Sequence, residues 1–212
     1  YANENPIRKK MVMGEKYLKP KEILNGEDVL RLFSTVRPPN LHTKQFWRYR
    51  AMVILTMTTG MRESELAAVC PRDLDWENHK LLIRFAKGGK GRTVPFIPLA
   101  QKPVREYMAQ FRPKGATDED PVFLTENGRG GFSPMCRKTV YNSISTYVKN
   151  MTGRYDISPH SLRHSFASIL VSSGMNVKEL QTVLGHSNLD TTERYARLIC
   201  PDIQPASNAG EI

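Results

Sequence analysis

The chain has 212 residues, 40% hydrophobic and 25% charged, the profile of a globular domain that can bury a core without metal or disulfide staples. Lysine and arginine outnumber aspartate and glutamate by 31 to 21, and the formal net charge of +10 points to a polyanionic partner. Three widely spaced cysteines argue against a disulfide framework or a zinc finger, no run approaches the ~18 apolar residues of a membrane span, and Tyr1 to Lys10 holds no apolar signal core, so a cytoplasmic setting is expected.

Residues 1–20 begin without an initiator methionine, are rich in Lys and Arg, and read either as a linker or arm from a longer protein or as a solvated tail. Helical periodicity starts at Asn25, a capping residue with Asp28 three positions on. It continues through Val29, Leu32, Phe33 and Val36 until Pro38 and Pro39 stop it. A second helix is expected from Thr43 to Thr59, interrupted by Gly60, and a short third from Ser64 to Val69.

The period then falls to two. Lys80–Ala86 and Arg92–Ile97 read as strands joined by the glycine-rich loop 87–91, with Asp73–Trp76 as a candidate third strand. A helix follows over Pro103–Phe111, and 113–134 reads as a long polar surface loop. Within that loop Asp118, Glu119 and Asp120 are read as a turn and not as a metal site. Lys138–Met151 and Ser161–Val171 are helical, the latter closed by Gly174. Asn176 with Glu179 opens a helix that Gly185 closes, and Asp190 with Glu193 opens another that carries Tyr195 in its second turn. Beyond Pro201 the tail is polar. The expected fold is mainly α with a small antiparallel β-sheet, an α+β domain over 21–200 with a tail over 201–212.

Three segments carry chemistry: Thr59-Gly60-Met61-Arg62-Glu63-Ser64-Glu65-Leu66, His160-Ser161-Leu162-Arg163-His164, and Leu184-Gly185-His186-Ser187-Asn188 with Tyr195 nine residues after His186. Between the first and second lies the basic hairpin of Arg84, Lys87, Lys90 and Arg92, suited to a DNA backbone. His160 and His164 are four apart and could form a zinc pair, but no H-E-x-x-H glutamate or third ligand accompanies them, and no metal is expected.

Taken together, the boxes resemble those of the tyrosine recombinase (phage integrase) family, in its order and at its spacings, over about residues 18–198. The resemblance implies that family's catalytic-domain fold and metal-free, cofactor-free cleavage and rejoining of double-stranded DNA. Arg62 and Arg163 would clamp the scissile phosphate, with His160 and His186 completing the set. Lys87 would be the general acid, although Lys90 could reach the same oxygen, and Tyr195 would be the nucleophile. Glu65 would support Arg62, His164 would be supporting or structural, and Arg84, Lys90 and Arg92 would contact DNA.

The residue types fit the task. A phosphotyrosine intermediate conserves the bond energy of a cut strand. A free phenol, of pKa about 10, is only ~0.3% ionised near pH 7.5, so neighbouring cations help it. Two guanidinium forks match the non-bridging oxygens of a phosphate.

The resemblance further implies a preceding core-DNA-binding domain and a homo-tetramer on paired sites, with the isolated domain a candidate monomer. Integration or excision of a mobile element is the favoured role. Resolution of chromosome dimers, or relaxation of supercoils in the manner of a type IB topoisomerase, are the alternatives.

Overall fold

A computed structural model describes residues 23–84, 91–127, 130–172 and 174. The expectations for 1–20, for the helices from 176 onward and for the tail lie outside the described residues, as do Lys87, Lys90, His186 and Tyr195.

Among the described residues the helices are α1 (Gly26–Phe33), α2 (Thr43–Thr59), α3 (Glu63–Ala68), α4 (Pro98–Phe111), α5 (Arg137–Thr152) and α6 (Pro159–Ser172). Strands β1 (Leu74–Asp75), β2 (Lys80–Ile83) and β3 (Arg92–Pro95) form an antiparallel sheet in that order, and β4 (Leu124–Glu126) pairs with β5 (Phe132–Pro134). No helix among the described residues is long and apolar enough to cross a membrane.

Helix α2 is the axis of the core. Every residue from Arg50 to Thr59 is buried, so the helix has no solvent stripe along its second half. It packs against α1, α4, α5 and α6. Its buried hydroxyls are satisfied locally: Thr56 Oγ1 donates to Met52 O at 2.8 Å and Thr59 Oγ1 to Leu55 O at 2.6 Å. Gly60 ends the helix in the left-handed region, at φ 62°, with its N–H on Thr56 O at 2.9 Å. A side chain there strains the backbone. Gly60→Ala is expected to lower stability by about 1–2 kcal/mol, read from the denaturant midpoint at unchanged m-value.

Several boundaries differ from the sequence reading. Helix α1 stops at Phe33, before the prolines, leaving Val36 exposed. The reason is tertiary: buried Arg50 donates from Nη2 to Phe33 O and from Nε to Ser34 O, at 3.1 and 3.0 Å, and takes the acceptors a longer helix would use. Helix α4 starts at Pro98, not at Pro103. Either proline can open a helix, but burial of Ala100, Gln101, Val104 and Tyr107 selects the longer one and leaves Pro103 inside it.

The stretch read as a surface loop contains the β4–β5 hairpin, with Val122, Phe123 and Leu124 buried. Phe123 stacks on Tyr107, centroids 5.5 Å apart, and Arg48 Nη1 donates to Leu124 O at 2.6 Å. Arg112 donates to the carbonyls of Ala116, Thr117, Asp120 and Pro121, supplying donors that the loop lacks.

Candidate active site

Arg62 owes its position to the end of α2. The left-handed Gly60 turns the chain, and Met61 and Leu66 bury their side chains on either side of Arg62. Arg62 is then the N-cap of α3, in extended conformation, and its N–H donates to Glu65 Oε2 at 2.9 Å. Its guanidinium donates from Nη1 to Glu65 Oε1 at 3.1 Å, yet the side chain stays 45% exposed and free to meet a ligand.

Glu65 lies beneath, with its side chain 1% exposed. Arg92 grips it bidentately, Nη1 to Oε1 at 2.6 Å and Nη2 to Oε2 at 2.7 Å. Burial alone would raise the Glu65 pKa. The hydrogen bonds from Arg92 and from the Arg62 backbone, with both guanidinium charges, more than offset this and hold it below the usual 4.5. The Nε of Arg92 is buried with no hydrogen-bond partner among the described residues, a local cost that the bidentate pair offsets.

Helix α6 supplies the second box. Ser158 and Ser161 cap its start reciprocally, each hydroxyl accepting the other's N–H at 3.2 Å. Leu162, Phe166 and Leu170 face the core, which leaves His160, Arg163 and His164 on the less buried side. Arg163 reaches across to the first box and donates from Nη1 to Gly60 O, so the residue that ends α2 also orients this arginine. His160 and His164 meet edge to face, with Nε2 atoms 2.9 Å apart, so one ring donates to the other.

Three guanidiniums share the site with the carboxylates of Glu65 and Glu63. Burial first, and then the positive charges of Arg62 and Arg92, push Arg163 from 12.5 down to about 10, while Glu65 and Glu63 work the other way. Arg163 therefore stays protonated at neutral pH, partly desolvated and beside two further positive charges, an environment chemically suited to an oxyanion.

The boxes around Arg62 and Arg163, far apart in sequence, thus meet in space, with His160 and His164 on the same helix as Arg163. The outer hairpin residues divide. Arg84, with its side chain 39% exposed, pairs through Nε with the buried carboxylate of Asp73. Arg92, expected along a DNA backbone, instead points inward; its side chain is 3% exposed and both Nη atoms are on Glu65. Asp73 and the Gly60 carbonyl were not singled out in the sequence. An acid between Arg72 and Leu74 gives no signal of burial, and a backbone acceptor gives none at all. Tyr107 and Tyr147 sit in the core, where burial pushes both phenols up, and neither is placed to attack DNA. Among the described residues no group of three His, Cys, Asp or Glu side chains could hold a metal ion.

A profile of the phage integrase family matches residues 22–199. Tyrosine recombinase XerC of Staphylococcus epidermidis is 33% identical over 184 residues, 87% of this chain and 59% of that protein. Tyrosine recombinase XerA of Pyrococcus furiosus is 30% identical over 183 residues, 86% of this chain and 59% of that protein. Among solved structures, XerA recombinase aligns with a TM-score of 0.62 at 25% identity, over 82% of this chain and 59% of the other. The Tn1549 transposon integrase in complex with circular intermediate DNA aligns with a TM-score of 0.61 at 26% identity, over 84% of this chain and 62% of the other. The chain thus spans 59% of the length of these two curated relatives.

Proposed function

This chain belongs to the phage integrase family, and on that premise we propose that it cuts and rejoins double-stranded DNA at specific sites through a covalent 3′-phosphotyrosine. The phenol of Tyr195 gives up its proton to solvent as its oxygen attacks the scissile phosphorus. The bond to the 5′ oxygen breaks, and that oxygen leaves as a hydroxyl after taking a proton from Lys87, with Lys90 the other candidate. Reversal by a 5′ hydroxyl restores the backbone, so the exchange draws on no outside energy source.

Arg62 and Arg163 hold the non-bridging oxygens, helped by His160 and His186, while Glu65 and His164 support them. Arg84 and Lys90 contact the DNA backbone. The observation that carries the reading is the meeting of the two boxes, with Arg163 reaching Gly60 O beside a half-exposed Arg62, so that two guanidiniums far apart in sequence are brought together where a phosphate can bind.

We favour integration or excision of a mobile element, by a homo-tetramer in the cytoplasm on paired sites. The likeness to a transposon integrase supports it, at 26% identity. Xer-type recombination is the second reading, favoured by relatives named XerC and XerA at 33% and 30% identity.

The test is covalent capture. The protein is mixed with a pool of nicked duplexes in EDTA and denatured, with Tyr195→Phe alongside. An adduct lost in the phenylalanine variant supports the reading, and sequencing the trapped DNA then reports a preferred site. An adduct that survives in the variant removes Tyr195 from the role. Trapping without site preference, together with relaxation of supercoils, replaces recombination by topoisomerase activity.

A further inference from the structure

Arg92 opens β3 on the face that it shares with Val94 and Phe96, all three buried. Its Nη atoms occupy one lone pair on each oxygen of Glu65, at 2.6 and 2.7 Å. The Arg62 side chain and backbone N–H take the other two, at 3.1 and 2.9 Å. A carboxylate has about four such acceptor sites, so Glu65 is saturated. One carboxylate is thus divided between a buried arginine and a half-exposed one.

The division has a chemical consequence. A planar guanidinium fork fixes the plane of the carboxylate that it grips. With both oxygens already engaged, Glu65 can give Arg62 only one side-chain bond, and most of the Arg62 guanidinium is left for another anion. If Glu65 were released, it could rotate and pair with Arg62 bidentately, drawing its charge down into the protein.

We propose that Arg92 is a positioning residue for the DNA-cleaving reaction: by holding the plane of the Glu65 carboxylate, it keeps the Arg62 guanidinium presented to the scissile phosphate. It touches no substrate itself. The proposal rests on the reading of Arg62 as a phosphate ligand.

The informative variant is Arg92→Lys, which keeps a charge opposite Glu65 and removes the fork. Alanine would leave a buried carboxylate bare and could unfold the protein. Adduct formation on a nicked duplex is followed in single turnovers for the unaltered chain, Arg92→Lys, Arg62→Ala and the double variant. The expected result is an adduct about tenfold slower in Arg92→Lys at saturating DNA, a DNA Kd within about threefold, and no further loss when the change is added to Arg62→Ala. A full rate in Arg92→Lys overturns the proposal. So does a double variant about tenfold slower than Arg62→Ala, because Arg92 would then act through something else. A full rate in Arg62→Ala instead sinks the reading of Arg62 itself.

A second measurement needs no cleavage. Inorganic phosphate is expected to raise the melting midpoint of the unaltered chain. The rise should disappear in Arg62→Ala and fall by about half or more in Arg92→Lys, and equal rises in Arg92→Lys and the unaltered chain overturn the proposal.

Discussion

Alanine in place of Arg163 is expected to slow adduct formation by about 100- to 1000-fold, the ~2.7–4 kcal/mol that one pre-organised donor to a developing oxyanion supplies. Arg62→Ala should fall in the same range. The double variant should lose less than the product, because the two guanidiniums act on one phosphate. DNA affinity should change far less, since one phosphate contact among many is removed. Single-turnover rates at saturating DNA, set beside equilibrium binding at fixed salt, separate the two quantities. A variant with weaker binding and an unchanged rate would make these residues ordinary backbone contacts.

The same substitution carries a stability signature of opposite sign. Arg163 is a base whose folded pKa, about 10, lies under its usual 12.5, so its charged form is disfavoured by folding. That penalty is present at every pH below about 10 and is relieved only as pH rises through that value. Arg163→Ala removes the penalty along with the hydrogen bond to Gly60 O. Its melting midpoint without DNA should stay level or rise, while the stabilisation by DNA shrinks.

Glu65→Gln is expected to be the most destabilising change in the site, by about 3–5 kcal/mol at pH 7, because it strands the Arg92 guanidinium in the core without a counter-charge. Glu65 is held below 4.5 in the folded state, so its contribution is fully present above that value and is lost as pH falls through the lower folded pKa. Denaturant curves at pH 7 and at steps below pH 4.5 should show the gap between the unaltered chain and Glu65→Gln closing with acid. Adding Arg92→Met to Glu65→Gln should recover part of the loss, since a buried pair replaced by apolar groups is often neutral. A gap that stays constant with pH would mean that Glu65 acts by packing, not by charge.

The candidate site was legible in the sequence as a set of residues because its boxes are local. A left-handed glycine, the arginine two residues on and the glutamate three beyond that are fixed by a helix end and the next helix start, as are the histidines and arginine of α6. Helix periodicity likewise gave α2 and α5 to within a residue or so, since 3.6-residue spacing of apolar side chains survives any arrangement of neighbours. The β4–β5 hairpin is not legible in the sequence because its pairing runs over only three residues and the carbonyl of Leu124 is satisfied by Arg48 from α2.

Arg92 is the instructive case. On β3 it shares a face with buried Val94, yet as one of four cations around a glycine-rich turn it reads from the sequence as facing DNA, and because Pro95 on the other face is buried as well, alternation alone does not decide between the two. What the sequence determined by itself was the inventory: which residues, in which order, on helices or strands. What only the tertiary structure decided was their charge environment. Burial of Glu65 between Arg62 and Arg92, and the reach of Arg163 to Gly60 O, depend on how α2, α3, β3 and α6 pack, and an electrostatic interaction is set by distance and burial, not by separation along the chain.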